Sequence, residues 1–302
     1  MVPRAEFGSY YGRPILKRPR WKAPHMPGYL YFGGLSGAAA TMAAMADATG
    51  RRRLSLTGRL TALTAAAAGS ALLIDELGRP ERFLHMLRVF KPTSPMSVGS
   101  WVLAAHGGLT GAAAASAVTG IAPRLGRAAG AGAALTGPVL ATYTGVLIAD
   151  TAVPAWHEGY RHLPLLFAGS ALASAGAVGM AAVPGREGAP ARRMVVLGAG
   201  LELAAAGMLE RGKGMREEPE LVSEPYRIGR AGALLRYGRA LTAAGAAGTL
   251  VAGRSRTAAV MSALAVTGGA LCTRFAVLYA GHASAEDPKY TVVPQRARVT
   301  RA

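Results

Sequence analysis

The densest group of reactive side chains in this sequence follows an apolar run that ends at Ile74. Asp75 and Glu76 close that run, Gly78-Arg79-Pro80 forms a turn, and acids, bases and apolar residues then alternate up to Pro92-Thr93-Ser94-Pro95. Two carboxylates beside Arg79 and His85, next to hydrophobic chain, are suited to taking up and releasing protons near lipid. Phe83, Met86, Leu87 and Phe90 recur at helical spacing, so this stretch is expected to lie along a membrane surface with Arg82, His85 and Arg88 turned to water. The alternative is a plain anchor for lipid headgroups. Asp150, His157 and Glu158 follow a later apolar run, where they would continue a proton path or cap helices. His106, Glu202 and Arg274 lie inside apolar runs. A charge at mid-span costs about 3 kcal/mol on insertion, so Glu202 and Arg274 are expected to face a bundle interior and to pair with each other or with His106. That pairing reads as a transmembrane proton route or as structural support.

The elements that position these groups are long, charge-poor segments. Of 302 residues, 51% are hydrophobic and only 17% charged, yet Lys+Arg exceed Asp+Glu by 34 to 16, a formal charge of +18. The basic residues sit in clumps between apolar runs, as in a multi-pass membrane protein, and no aromatic-interleaved basic surface suggests nucleic acid. Apolar windows fall at Pro27–Ala46, Thr57–Ile74, Ser97–Ile121, Ala128–Ala149, Leu163–Val183, Val195–Leu209, Ala240–Gly253 and Ala258–Ala280. A span takes about 20 residues. The sixth carries Glu202, and the seventh is long enough only if its helix starts near Ala231 and takes in Arg236 and Arg239.

The fold class is therefore an all-α integral membrane protein with eight transmembrane helices, expected as two four-helix bundles in a plasma membrane. Residues 1–25 form a basic extramembrane tail without a signal-peptide core, 26–281 the membrane domain with a surface loop at 78–95, and 282–302 a C-terminal tail. That tail is expected to be extended or disordered. Both termini fall on one face. The arginine-rich short turns favour the other face as cytoplasmic and the basic N-terminus argues the reverse, so orientation stays open. The spans are rich in Ala and Gly, which let helix backbones approach closely; Gly33-x-x-x-Gly37 and Gly107-x-x-x-Gly111 fit that pattern.

A single cysteine, Cys272, excludes a four-thiolate iron–sulfur cluster within the chain, and no zinc-finger spacing is present. Of the six histidines only His106 is clearly within a span, which leaves no facing pair for a haem. Any redox metal is expected in a partner.

The run LGRPERFLHMLRVFKPTSPMSVGSW resembles the loop between the second and third spans of the NrfD/PsrC family, the membrane subunits of polysulfide-reductase-like molybdoenzyme complexes. WKAPHMPGYLYFGGLSGAA, TYTGVLIADTAVPAWHE and LPLLFAGSALASAGA agree with it in order, so the resemblance covers about residues 21–183. Where family members usually carry Asp before Leu-Gly-Arg-Pro, this chain has Glu76, with Asp75 beside it. The resemblance implies an eight-helix subunit without haem that holds a quinone near one membrane face. It also implies electron exchange with a ferredoxin-like iron–sulfur subunit and a molybdopterin catalytic subunit as third member. By motif, Tyr143 matches the family's quinone-contacting tyrosine, and His25 stands where the family places a polar headgroup contact; Glu76 and Arg79 would relay protons or fix the loop as an ion pair. The Ala/Arg/Gly-rich composition favours menaquinone over ubiquinone. Two other readings compete: a multi-pass secondary transporter, and a bare anchor without quinone chemistry. The transporter reading is weakened by polar groups gathered at span ends, where transporters place them at the midplane of two repeats.

Overall fold

The computed structural model describes residues 15–77, 80–253 and 255–301, and those residues contain helices and turns with no β-strand. In chain order the α-helices are α1 (His25–Ala48), α2 (Arg52–Glu76), α3 (Pro95–Thr119), α4 (Pro123–Ala149), α5 (Pro154–Glu158), α6 (Leu163–Ala182), α7 (Ala189–Glu210), α8 (Pro219–Val222), α9 (Gly229–Ala252), α10 (Arg256–Glu286) and α11 (Lys289–Arg301). Two 3-10 segments, Pro80–Leu87 and Glu224–Tyr226, complete the set.

Local sequence explains many of the boundaries. Prolines open α3, α4, α5 and α8, where a missing N–H costs nothing. Ser94 and Ser255 cap α3 and α10, each accepting a hydrogen bond from the backbone N–H three residues on. Gly120 ends α3 at φ 74°, a left-handed conformation that glycine adopts without strain.

Short turns join α1 to α2, α3 to α4, α6 to α7 and α9 to α10, and each pair packs along its length. The first four helices are linked through α1 on α2 and α4, and α3 on α2 and α4. In the second half α7 packs on α6 and α9, and α10 on α6 and α9; α6 also meets α1 and α4, tying the halves together. Glycines set the closest of these crossings. At Gly37 and Gly137 a Cβ would come within 2.2 and 2.3 Å of the other's carbonyl oxygen, so α1 and α4 touch backbone to backbone. The other small-residue motif behaves differently: Gly107 and Gly111 have nothing within 4 Å of a Cβ and set no crossing.

Five helices, α2, α3, α4, α6 and α10, are long and apolar enough to cross a membrane. Among the described residues α1, α7 and α9 are also 22 residues or longer, and each has a reason for weaker hydropathy. α1 is enclosed by neighbours, with Leu30 and Ala39 fully buried, and is built from small residues. α7 and α9 carry charged residues, among them Glu210 and Arg239, which form an ion pair. α9 does begin ahead of Arg236 and Arg239, at Gly229.

Two expectations are corrected. The last long helix does not stop near Ala280 but runs to Glu286, and the segment after it is the helix α11, neither extended nor disordered. Tyr290 explains this: it is 4% exposed and its hydroxyl donates to Glu224 at 2.7 Å, while Lys289 pairs with the same carboxylate at 2.9 Å. The connection after α2 contains the 3-10 segment, in which Leu84 is 69% exposed.

Candidate functional site

α2 ends in two acids, against the preference of a helix C-terminus for positive charge. The start of its hairpin partner α1 compensates them. His25 Nε2 lies 2.8 Å from Asp75 Oδ2 and His25 Nδ1 lies 3.8 Å from Glu76 Oε2, while the Lys22 N–H donates to Glu76 Oε1 at 2.9 Å. The two acids differ in setting. The Asp75 side chain is 70% exposed and that of Glu76 only 14%, so Glu76 fastens the segment entering α1 while Asp75 reaches water.

Beside this cluster opens a cavity of about 660 Å³, lined by residues of the segment before α1 and of α1, α2, the 3-10 segment, α3 and α4. Its volume is in the range of small-molecule sites. Trp21, Leu73, Met86, Met96 and Leu147 supply apolar wall; His25, Glu76, Ser100 and Tyr143 supply polar groups. Tyr143 comes from the last two turns of α4 and lines the cavity together with Tyr29 of α1, both in one buried cluster. Gly99 makes the approach feasible: a Cβ there would lie 1.8 Å from Tyr143 Cζ and 2.1 Å from its hydroxyl oxygen. Trp21 is held by stacking on Trp156, with ring centroids 5.4 Å apart. Trp156 is fully buried, donates from Nε1 to the Val277 carbonyl at 2.7 Å, and lies where a Cβ on Gly281 would be 1.8 Å away.

Of the residues expected from sequence, the structure thus gathers Tyr143, His25, Asp75 and Glu76 on one cavity. Arg79 lies outside the described residues. The rest stand elsewhere. Asp150 is exposed at the end of α4. His157 and Glu158 line a smaller cavity of about 210 Å³ against α11, and Glu158 accepts the Arg216 N–H at 2.6 Å. His106 is fully buried and ties three helices, with Nε2 3.0 Å from Ser36 Oγ and Nδ1 2.8 Å from Thr136 Oγ1. Ser36 Oγ also donates to the Ala62 carbonyl at 2.7 Å, and Thr136 Oγ1 reaches the Gly132 and Ala133 carbonyls of its own helix.

Glu202 and Arg274 share the buried interior without a direct ion pair among the described residues, and neither reaches His106. Glu202 accepts from Thr273 Oγ1 at 2.9 Å; Arg274 donates to the Leu30 and Phe167 carbonyls and covers the Phe167 ring at 3.9 Å. Arg274 Nη1 and Glu202 Oε2 have no hydrogen-bond partner among the described residues, so the two buried charges act on each other through space without salt-bridge contact.

Tyr29, Trp21, Ser100 and Gly99 were not singled out from sequence as site residues. Ser100 and Gly99 sit in the Gly-Ser-Trp that ends the recognisable run, and Tyr29 lies one helical turn after His25, so a helical reading of α1 was the available signal.

The cavity, its tyrosine and its two acids all fall within residues 17–204, and that segment matches the family described as polysulphide reductase, NrfD. The chain belongs to the NrfD family. Family membership, together with five apolar helices of spanning length, makes it an integral membrane protein and a membrane subunit of the oxidoreductase-complex type. No curated protein matches the chain. The helices from α8 onward lie beyond the NrfD match, although α10 packs on α6 and α1 within it.

Proposed function

We propose that this NrfD-family chain is the quinone-reactive membrane subunit of a multi-subunit oxidoreductase, with the 660 Å³ cavity as its quinone site. The observation that carries the reading is the convergence of hydrogen-bonding groups from separate helices on one largely apolar cavity. An apolar wall with a few convergent polar groups suits a flat ring bearing carbonyl oxygens. When bound, a quinone supplies a ring that gives or takes two electrons and two protons.

The chain's own residues then divide the work. Tyr143 offers its hydroxyl as a donor, with Tyr29 in the same cavity wall. His25 holds or passes a proton at Nε2, 2.8 Å from Asp75 Oδ2. Asp75, largely exposed, exchanges that proton with water on the same face. Glu76 holds the backbone at Lys22 and so places Trp21 against the cavity. With no haem pair in the spans, electrons are exchanged with a docked ferredoxin-like iron–sulfur subunit, with a molybdopterin subunit beyond it; menaquinone is the preferred quinone.

In the same proposal all eight long helices cross a plasma membrane as two four-helix groups, α1–α4 and α6, α7, α9 and α10, with both termini on the cavity face. The deciding experiment is Tyr143→Phe in the assembled complex from its own host. We expect quinone turnover to fall about tenfold or more, the loss of a buried donor to an acceptor that stays behind. Unchanged turnover in a fully assembled complex would reject the site and leave a bare anchor; a chain purified without quinone, iron or molybdenum would favour a transporter.

A further inference from the structure

The opposite end of the first four helices carries a second built cleft. About 620 Å³ in volume, it lies among the ends of α1 and α3 and the starts of α2 and α4, and Arg52, Arg59 and Arg127 all line it. Asp47 is the one acid in its wall, and it pairs with Arg59 at 3.3 Å; the Arg59 side chain is only 11% exposed. Arg52 and Arg127 have no ion pair among the described residues. Glu187, the nearest acid in the facing turn between α6 and α7, accepts the Arg53 backbone N–H at 2.6 Å instead. Three guanidiniums against one carboxylate leave two positive charges uncompensated, where two long helices also present their N-terminal N–H groups.

Beyond the Asp47–Arg59 pair, that arrangement gathers like charges in one cleft. It suits an anion with several oxygens, which guanidinium groups bind in forked pairs. The surroundings say what carries the anion. Leu56 in the cleft wall is 39% exposed, and Val118, Ile121 and Leu125 beside it in sequence are 66%, 71% and 72% exposed. A basic cleft with Leu56 in its wall, next in sequence to exposed apolar residues at the end of membrane helices, matches a headgroup with acyl chains attached. We infer that this cleft binds the phosphodiester headgroup of an anionic phospholipid, on the face opposite the cavity of Tyr143 and independently of what that cavity takes.

The test is native mass spectrometry of the assembled complex in mild non-ionic detergent, with cardiolipin, phosphatidylglycerol, phosphatidylcholine or inorganic phosphate added in turn. We expect the anionic lipids to be retained over phosphatidylcholine, and inorganic phosphate not to displace them. The double variant Arg52→Gln with Arg127→Gln, at two exposed and unpaired positions, should weaken retention about 10- to 30-fold. Arg193→Gln, an exposed arginine on the same face outside the cleft, should leave it unchanged. Asp47→Asn removes the lone acid and should tighten retention, a gain that misfolding cannot mimic. Equal retention of phosphatidylcholine, indifference to the double variant, or displacement by inorganic phosphate would each overturn the assignment.

Discussion

At the scale of single residues, the position of Tyr143 depends on an atom that is absent. Gly99 leaves room for the phenol against the backbone of α3, so Gly99→Ala is expected to push Tyr143 out of its place at the cavity. The chain should still insert, while quinone turnover falls by at least as much as in Tyr143→Phe; assembly by native gel and turnover by a quinol-analogue assay check it. His25 and Asp75 give a second prediction. Asp75→Asn keeps a hydrogen-bonding partner 2.8 Å from the imidazole but removes the carboxylate that exchanges protons with water. Quinone turnover should fall while assembly, with Glu76 still holding the Lys22 N–H, is unchanged; a quinol-analogue assay beside a native gel checks it.

At the scale of elements, the α1–α4 crossing and the seat of α11 are open to test. Gly37→Leu or Gly137→Leu would force side-chain atoms into the facing backbone at 2.2–2.3 Å and should destabilise the chain by about 1–3 kcal/mol or more, measured as a lower unfolding temperature in detergent. Gly111→Leu, which meets open space, should be tolerated. α11 is seated by Lys289 and Tyr290 on Glu224. Lys289 and the Tyr290 hydroxyl hold the Glu224 carboxyl below its ordinary range, and Glu224 in turn raises the Lys289 ammonium; burial lifts Tyr290 to about 12. A depressed acid contributes stability above its unfolded pKa and loses it as pH falls through the folded one. A raised amine contributes below its unfolded pKa and loses it as pH rises through the folded one. The α11 contact should therefore be firm at neutral pH and loosen at both acid and strongly alkaline extremes, with hydrogen exchange in residues 289–297 as the readout.

At the scale of the whole molecule, the testable quantity is topology. Eight crossings place positions 50 and 184 on one side of the membrane and 89 and 214 on the other. Single cysteines at these positions in a Cys272→Ser background should label with an impermeant reagent in those two groups, and any other partition would reject eight crossings. The short arginine-bearing turns fall at one end of the helices and the cavity at the other because each helical hairpin returns the chain to the end it left. The packing is continuous between halves through α6, which meets α1, α4 and α10, so damage at the α6 interface should reach both.

By itself the sequence determined that this is a helical membrane protein of the NrfD family, and that acids, a histidine and a tyrosine lie near the ends of its apolar runs. Hydropathy and local motifs carry that information because insertion depends on composition over about 20 residues. It did not determine which polar groups meet. Asp75 and His25 are 50 positions apart, and only the hairpin of α1 with α2 brings them to 2.8 Å. Glu202 and Arg274 look like partners in sequence, yet the hydrogen bonds each makes go to other groups, and His106 bonds to Ser36 and Thr136. The difference is physical. A side chain in a bundle bonds to whatever donor or acceptor the helix crossing brings within 3 Å, and that crossing is set by where glycines let backbones touch.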